Sequence, residues 1–316
     1  MKLARTEQTN LRSRGLDRKS TLDILRVLNR EDQQVALAVH RELHQIARAV
    51  DAIVKSLKSG GKLFYVGAGT SGRLALLDAA ECPPTFGTPP KMVQTIIAGG
   101  ARAVREAVEG AEDSAANGAR DLAAAGLSKR DVVVGIAASG STPYVLGAFA
   151  LARRRGAVTV GVTSNPSSLL AREAGIAIAP ETGAEAIAGS TRLKAGTAQK
   201  MVLNLLSTTA MVRLGRVYEN WMVYVALTNQ KLRRRGTRIL EEAAGVSASV
   251  AEHAMRQTGH DLPAALVMLK TGSSVRDAKH SLAKANGNVR EALVSFRAKR
   301  PPINSKTIVR KKSRGK

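Results

Sequence analysis

The chain has 316 residues, 44% of them hydrophobic and only 3% aromatic, with one cysteine and a formal net charge of +24 at pH 7. So few rings argue against a stacking platform for single-stranded nucleic acid. The lone Cys82 excludes an intramolecular disulfide, and no apolar run is long enough to cross a bilayer. The length suits one large domain with an appendage, or two modest ones.

The first residues, Met1 to Arg18, are polar and charged without an apolar centre, so no secretory signal is expected and the expected location is the cytoplasm. Ser20 or Thr21 is placed to cap a helix running to about Asn29. A second amphipathic helix is expected over Glu31 to Lys58, ended by Gly60-Gly61. The pattern then changes to short apolar runs, each followed by a glycine-rich turn or a helix. Leu63–Val66, Val93–Ala98, Asp131–Ile136, Val158–Val162 and Ile176–Ala179 read as strands. Between them, helices are expected from about Arg73 to Ala80, Ala101 to Glu109 and Pro143 to Arg155. Fully apolar strands alternating with helices predict a parallel sheet covered on both faces, an α/β three-layer sandwich.

Helices are expected again after Gly196 through Leu214 and from about Val217 to Arg233. From there to Phe296 three or four short helices are expected, broken at Gly245, Gly259 and Gly272 and capped by Ser247, Asp261 and Ser274. The predicted organisation is an N-terminal helical region (1–58), a sheet domain (59–235), a small three-helix domain (236–296) and a disordered basic tail (297–316). That tail holds nine Lys or Arg and no acid. The remainder is basic as well, which suits anionic partners. No helix-turn-helix or zinc-ligand pattern accompanies the charge, so a specific nucleic-acid function is not expected.

Two turns carry the chemistry. Gly67-Ala68-Gly69-Thr70-Ser71-Gly72 matches G-x-G-x-x-G, but the next strand ends Ile96-Ile97-Ala98-Gly99-Gly100 without the acid that a dinucleotide ribose requires. Thr70 and Ser71 instead place two hydroxyls beside backbone N–H groups at a helix start, which suits a monophosphate. Ser139-Gly140-Ser141-Thr142 follows another apolar strand in the same way. The simpler alternative is that these hydroxyls only cap their helices. A sugar phosphate at the carboxyl edge of the sheet is the preferred reading.

Glu81 directly follows the predicted helix begun by the first turn. There the negative end of the helix dipole disfavours a carboxylate, which predicts a raised pKa and a proton donor near neutrality. Glu112 belongs to an acid cluster, Glu109-Gly110-Ala111-Glu112-Asp113, also just past a predicted helix. The five histidines show no metal-ligand spacing, and neither a metal nor another cofactor is expected. Cys82 reads as a buried structural thiol. Arg192 and Lys194 lie among the hydroxyls of Ser190-Thr191 and Thr197, suited to further phosphate or carboxylate contacts.

These segments resemble the N-acetylmuramic acid 6-phosphate etherase family of the sugar isomerase (SIS) domain superfamily. The similar stretches are Gly67 to Arg73, Asp78 to Pro84, Val108 to Asp113, Asp131 to Gly140, Thr142-Pro143-Tyr144 and Lys194 to Lys200, with Thr6-Glu7-Gln8 near the start. The resemblance implies Glu81 as catalytic acid/base and Glu112 as the second catalytic carboxylate, which of them donates the proton being open. It places Ser71, Ser139 and their loop neighbours, among them Gly69, Thr70, Ser141 and Thr142, around the phosphate, to which the residue reading adds Lys194 as a candidate contact. The implied reaction removes the D-lactyl ether from C3 of the sugar, giving N-acetylglucosamine 6-phosphate and D-lactate. It also implies a homodimer with sites completed across the subunit interface, and a C-terminal region similar to a ubiquitin-associated three-helix fold. Where the family leads one to expect Arg after Ser139-Gly140, this chain has Ser141. The alternatives are a non-catalytic sugar-phosphate sensor similar to glucokinase regulatory proteins, a sugar-phosphate isomerase and, last, a nucleic-acid-binding regulator.

Overall fold

A computed structural model of the chain describes residues 7–299. Thr6 and the basic tail beyond 299 lie outside the described residues. The chain divides into two compact units between Leu214 and Gly215.

In the first unit Ser20 caps α1 (Thr21–Arg41) by accepting from the Asp23 N–H, and α1 breaks at Glu42 before α2 (Leu43–Lys58). The helix boundary expected near Asn29 is therefore absent, and the break falls one turn after Ala38 and Val39. Five strands follow: β1 (Leu63–Gly67), β2 (Val93–Ile97), β3 (Val132–Ile136), β4 (Val158–Val162) and β5 (Ile176–Ile178). They form one parallel sheet in the order β2-β1-β3-β4-β5. Every residue of β1 and β3 is buried, which explains their unbroken apolar runs. One face, carrying Phe64, Val66 and Val133, packs on α4 (Ala115–Ala124) and α5 (Pro143–Arg154) through Leu122, Tyr144, Val145 and Phe149. α3 (Gly69–Phe86) and α7 (Lys194–Arg213) meet below the other face, where Tyr65 on β1 reaches α3; α6 (Leu169–Glu173) is a single short turn beside β4 and β5.

At two points α4 and α5 approach closely enough that no side chain fits between them. A Cβ on Gly118 would lie 1.9 Å from the Tyr144 carbonyl oxygen, and one on Gly147 1.9 Å from the Ala115 carbonyl oxygen. Glycine at both positions is a requirement of this contact.

Three further expectations fail locally. The helix expected over Ala101 to Glu109 is a 3-10 turn, Gly100–Val104, followed by irregular chain, and α4 occupies a stretch for which no element was expected. The stretch from Val217 is held irregular by an isolated bridge between Tyr218 and Trp221, with α8 (Gln230–Ala244) beginning only after Asn229. The third concerns the end of α3 and is taken up with the site.

The second unit, among the described residues, carries five helices: α8, α9 (Ala248–Thr258), α10 (Leu262–Thr271), α11 (Val275–Lys284) and α12 (Val289–Lys299). Ser247, Asp261 and Ser274 each accept a backbone N–H at a helix start, and Gly245, Gly259 and Gly272 end the preceding helices in the left-handed conformation.

Candidate active site

β1 is flanked by β2 on one side and β3 on the other, so the order of connection reverses between β1 and β3. In open parallel sheets ligands bind outside the carboxyl ends of strands at such a point. The two hydroxyl-rich turns leave these two strands, and their starts are level: Gly67, the last residue of β1, pairs with Ile136, the last of β3. The sequence alone could not place them side by side; the register does.

The first turn leads into α3, whose N-cap is Ala68 and which has no side-chain cap. Thr70 and Ser71 therefore do not cap their helix. At α5 the N-cap is Thr142, again without a side-chain hydrogen bond to the helix. Ser20, Ser114, Ser168, Asn229, Ser247, Asp261 and Ser274 do cap theirs; of the other uncapped starts, α2 follows directly on α1 and α7 is met by Glu185. Two helix N-termini without a side-chain cap thus open on the same sheet edge, each with hydroxyls beside it; α3 offers its first N–H groups there, whereas at α5 Pro143 has none and those of Tyr144, Val145 and Leu146 go to the Glu112 and Thr142 carbonyls. Ser139 and Ser141 lie 2.9 Å apart through their Oγ atoms, and the Ser141 N–H donates to Ser139 Oγ. The backbone of this second turn is held from the β4 side: the Leu170 N–H donates to the Gly140 carbonyl, and Thr163 Oγ1 to the Ala138 carbonyl.

Glu112 is brought to this edge. Its carbonyl accepts the Tyr144 N–H at 2.9 Å, so its main chain lies against the first turn of α5, just after Thr142 and Pro143. The carboxylate is exposed. Glu81 is not brought there by the same chain. The helix end expected at Ala80 lies instead at Phe86, with Pro83 and Pro84 inside the last turns and Gly87 as a left-handed cap. The prolines remove N–H groups that Ala79 and Ala80 carbonyls would have accepted, a cost confined to the end of the helix. Glu81 consequently sits within α3, about 15 Å further along its axis than Ser71 at ~1.5 Å per residue. It is exposed, and so are Leu77, Ala80 and Pro84, its neighbours on the same helical face.

Lys194, by contrast, is engaged inside the chain. It is buried, and Nζ donates 2.6 Å to Glu31 Oε2 on α1. Asn10 Nδ2 donates 2.7 Å to the same oxygen, and Arg12 Nε stands 2.9 Å from the other. Burial opposes ionisation of Glu31, but the hydrogen bonds from Lys194 and Asn10, with the Lys194 and Arg12 charges, hold its carboxyl below the usual range. The start of α7 is filled from within too: the buried Glu185 accepts the N–H groups of Lys194 and Ala195 at 3.0 and 2.9 Å. Burial raises Glu185 despite those bonds. Lys194 thus has no free ammonium to offer a phosphate.

Curated proteins resemble the chain over almost its whole length. It is 52% identical over 288 residues to the N-acetylmuramic acid 6-phosphate etherase of Geobacillus thermodenitrificans, covering 91% of this chain and 98% of that one. The etherases of Serratia proteamaculans and Actinobacillus pleuropneumoniae match at 52% over 91% of this chain and 49% over 92%, spanning 97% and 95% of their own lengths. The chain belongs to the N-acetylmuramic acid 6-phosphate etherase family. Residues 107–209 match the SIS domain and residues 45–153 the N-terminal SIS domain of glucokinase regulatory protein. A phosphoheptose isomerase from Francisella tularensis shares the fold at 21% identity and a TM-score of 0.50, over 61% of this chain and all of that one.

Two buried polar clusters in this family member escape a search for exposed chemistry. Besides Glu31 and Glu185, Asp78 accepts from the Tyr65 hydroxyl (2.9 Å), Asn204 Nδ2 (2.7 Å) and Ser207 Oγ (3.0 Å), locking α3 to β1 and α7. Burial nevertheless raises its pKa. Cys82, one turn on, is buried, and its thiol is pushed up to about 12 by desolvation and then by Asp78 and Glu81, which suits a structural thiol. A sequence signal did exist. Glu31 stands in register with Val35, Ala38 and Val39, and Asp78 with Ala75, Ala79 and Cys82. An acid on an apolar stripe calls for a buried partner.

Proposed function

We propose that this chain is an N-acetylmuramic acid 6-phosphate etherase acting in the cytoplasm as a homodimer. What carries the reading is the pair of uncapped, hydroxyl-bearing helix starts set level at the reversal point of the sheet, in a chain whose relatives bear that name. The phosphate would lie between the α3 start, with Gly69, Thr70 and Ser71, and the second turn, with Ser139, Ser141 and Thr142. The N–H groups at the α3 start and the two helix dipoles attract the anion, and the hydroxyls of both turns donate to its oxygens. Lys194 is left out because Glu31 holds it.

In the open-chain sugar the C1 aldehyde acidifies the C2 proton. Glu112 removes that proton, the C2–H electrons form the C2=C3 bond, and the C3–O bond to lactate breaks as Glu81 protonates the departing oxygen. Water then adds its hydroxyl to C3 and a proton returns to C2, leaving N-acetylglucosamine 6-phosphate and D-lactate. The two carboxylates need no third group for this bookkeeping of protons.

The distance of Glu81 from its own chain's phosphate edge favours a site completed by a second copy. Exposed Leu77 (54%), Ala80 and Pro84 surround Glu81, an apolar strip that a partner subunit would cover while drawing the carboxylate into its site. Mixed dimers test this. Glu81→Gln and Glu112→Gln homodimers are expected to be inactive, whereas dimers carrying one of each regain one intact site. Failure of mixing to restore any turnover rejects the shared site. Exchange of the C2 proton with deuterated solvent assigns the roles: it persists in Glu81→Gln and stops in Glu112→Gln, and the opposite pattern swaps acid and base.

A further inference from the structure

Arg73 lies in the first turns of α3, two residues after Ser71, but its guanidinium does not face the phosphate turn. Nε donates to the Ala103 carbonyl (3.0 Å) and the Val104 carbonyl (3.3 Å), and Nη2 donates to the Glu106 carbonyl (2.7 Å). These oxygens end the Gly100–Val104 turn and begin the irregular chain that leads to Glu112. Helix-end carbonyls lack partners and carry partial negative charge, so a fork of N–H donors on a cation fits them well.

Beyond the packing of Ala111 on the sheet core and an exposed Arg102–Glu106 pair, the segment has little else to hold it. Its own backbone bonds are local ones, Arg105 and Glu106 to Arg102, Ala111 to Val108 and Asp113 to Gly110. Most of residues 104–113 are exposed, Val108 being half-buried against Gly99. At its far end the Tyr144 N–H holds the Glu112 carbonyl. The segment is thus strung between two anchors, the Arg73 fork on α3 and the first turn of α5, and both anchors belong to the helices that start at the phosphate edge.

We propose that Arg73 is a positioning residue that ties the Glu112 segment to the first turns of α3 and so fixes the Glu112 carboxylate relative to the phosphate-binding turn. The proposal rests on the reading of Glu112 as a catalytic carboxylate. Its physical content is that a fork satisfying three carbonyls is needed, and that a point charge is no substitute.

Steady-state kinetics of Arg73→Ala and Arg73→Lys on N-acetylmuramic acid 6-phosphate test it, with calorimetric binding of N-acetylglucosamine 6-phosphate and amide exchange over residues 100–113. A misplacement of about 1 Å costs on the order of 10²-fold in rate. Both variants are therefore expected to lose about that much kcat, with KM and product Kd held within about twofold. Amide exchange should quicken in the segment, and added guanidinium ion should restore part of the rate to Arg73→Ala. Should Arg73→Ala fail to fold, Arg73→Lys, which keeps stem and charge, carries the same test. Unchanged kcat overturns the proposal. So does a loss confined to KM and Kd that Lys rescues, which would make Arg73 a phosphate contact. If Glu112→Gln is inactive while the Arg73 variants turn over normally, this proposal alone fails. If Glu112→Gln is fully active, the reading of Glu112 fails and takes the proposal with it.

Discussion

Replacing Lys194 by methionine keeps most of the stem and deletes the ammonium that meets Glu31 in the interior, where both side chains are 2% exposed. The carboxylate keeps Asn10 Nδ2 at 2.7 Å and the Arg12 guanidinium at 2.9 Å, the latter on a side chain that is 66% exposed. Stranding one partner of a buried pair costs roughly 3–5 kcal/mol, and the two remaining contacts argue for the lower end, about 3 kcal/mol. For a unit of this size each kcal/mol moves Tm by about 2–4 °C, so the expected drop is about 6–12 °C. Thermal unfolding followed by circular dichroism at pH 7 measures it. Binding of N-acetylglucosamine 6-phosphate to the folded variant, taken well below its Tm, should match wild type because Glu31 already holds the Lys194 ammonium. An unchanged Tm together with weakened sugar-phosphate binding would refute this placement and return Lys194 to the substrate.

Ser71→Ala and Ser139→Ala each remove one hydroxyl donor to an anion, worth about 1.5–3 kcal/mol, so product Kd should rise by about 10- to 150-fold in calorimetry with Tm little changed. Gly147→Ala forces a Cβ to within 1.9 Å of the Ala115 carbonyl oxygen, and overpacking of this kind costs about 1–3 kcal/mol; denaturant titration should register it as a lower midpoint. Glu31 is held below the usual carboxyl range. Its ionised form therefore contributes stability that is complete above the unfolded value, about 4.3, and is lost as pH falls through the lower folded value. The Tm advantage of wild type over Glu31→Gln should accordingly shrink on acidification from pH 5, and a gap that widens there would contradict the sign.

Much of the sheet was legible because β1, β3 and β4 are short, largely apolar runs between turn signals, and β4 spans Val158–Val162 as that run alone suggests. The glycine stops and Ser or Asp caps of α9 to α11 were legible for a similarly local reason. What was not legible depended on distant partners. Pro83-Pro84 reads as a helix stop, yet α3 carries both to Phe86, since the chain needs only its last turn to go without those N–H groups. Val217 to Asn229 has helical spacing, but Tyr224 donates its hydroxyl to the Gly287 carbonyl and Arg216 lies over the Tyr224 ring, contacts that outweigh propensity. At the candidate site the two hydroxyl turns could be recognised one by one, but their common level is a property of strand register. Lys194 looked like a surface cation beside hydroxyls, and only Glu31, far away in sequence, accounts for its burial.

The measurement that bears most directly on the central claim is D-lactate release from N-acetylmuramic acid 6-phosphate by the purified protein, with no nucleotide or metal added. The account predicts stoichiometric D-lactate and N-acetylglucosamine 6-phosphate, with release lowered by orders of magnitude in Glu112→Gln. Tight binding of the phosphorylated sugar with no lactate formed would contradict it and make the chain a sugar-phosphate sensor.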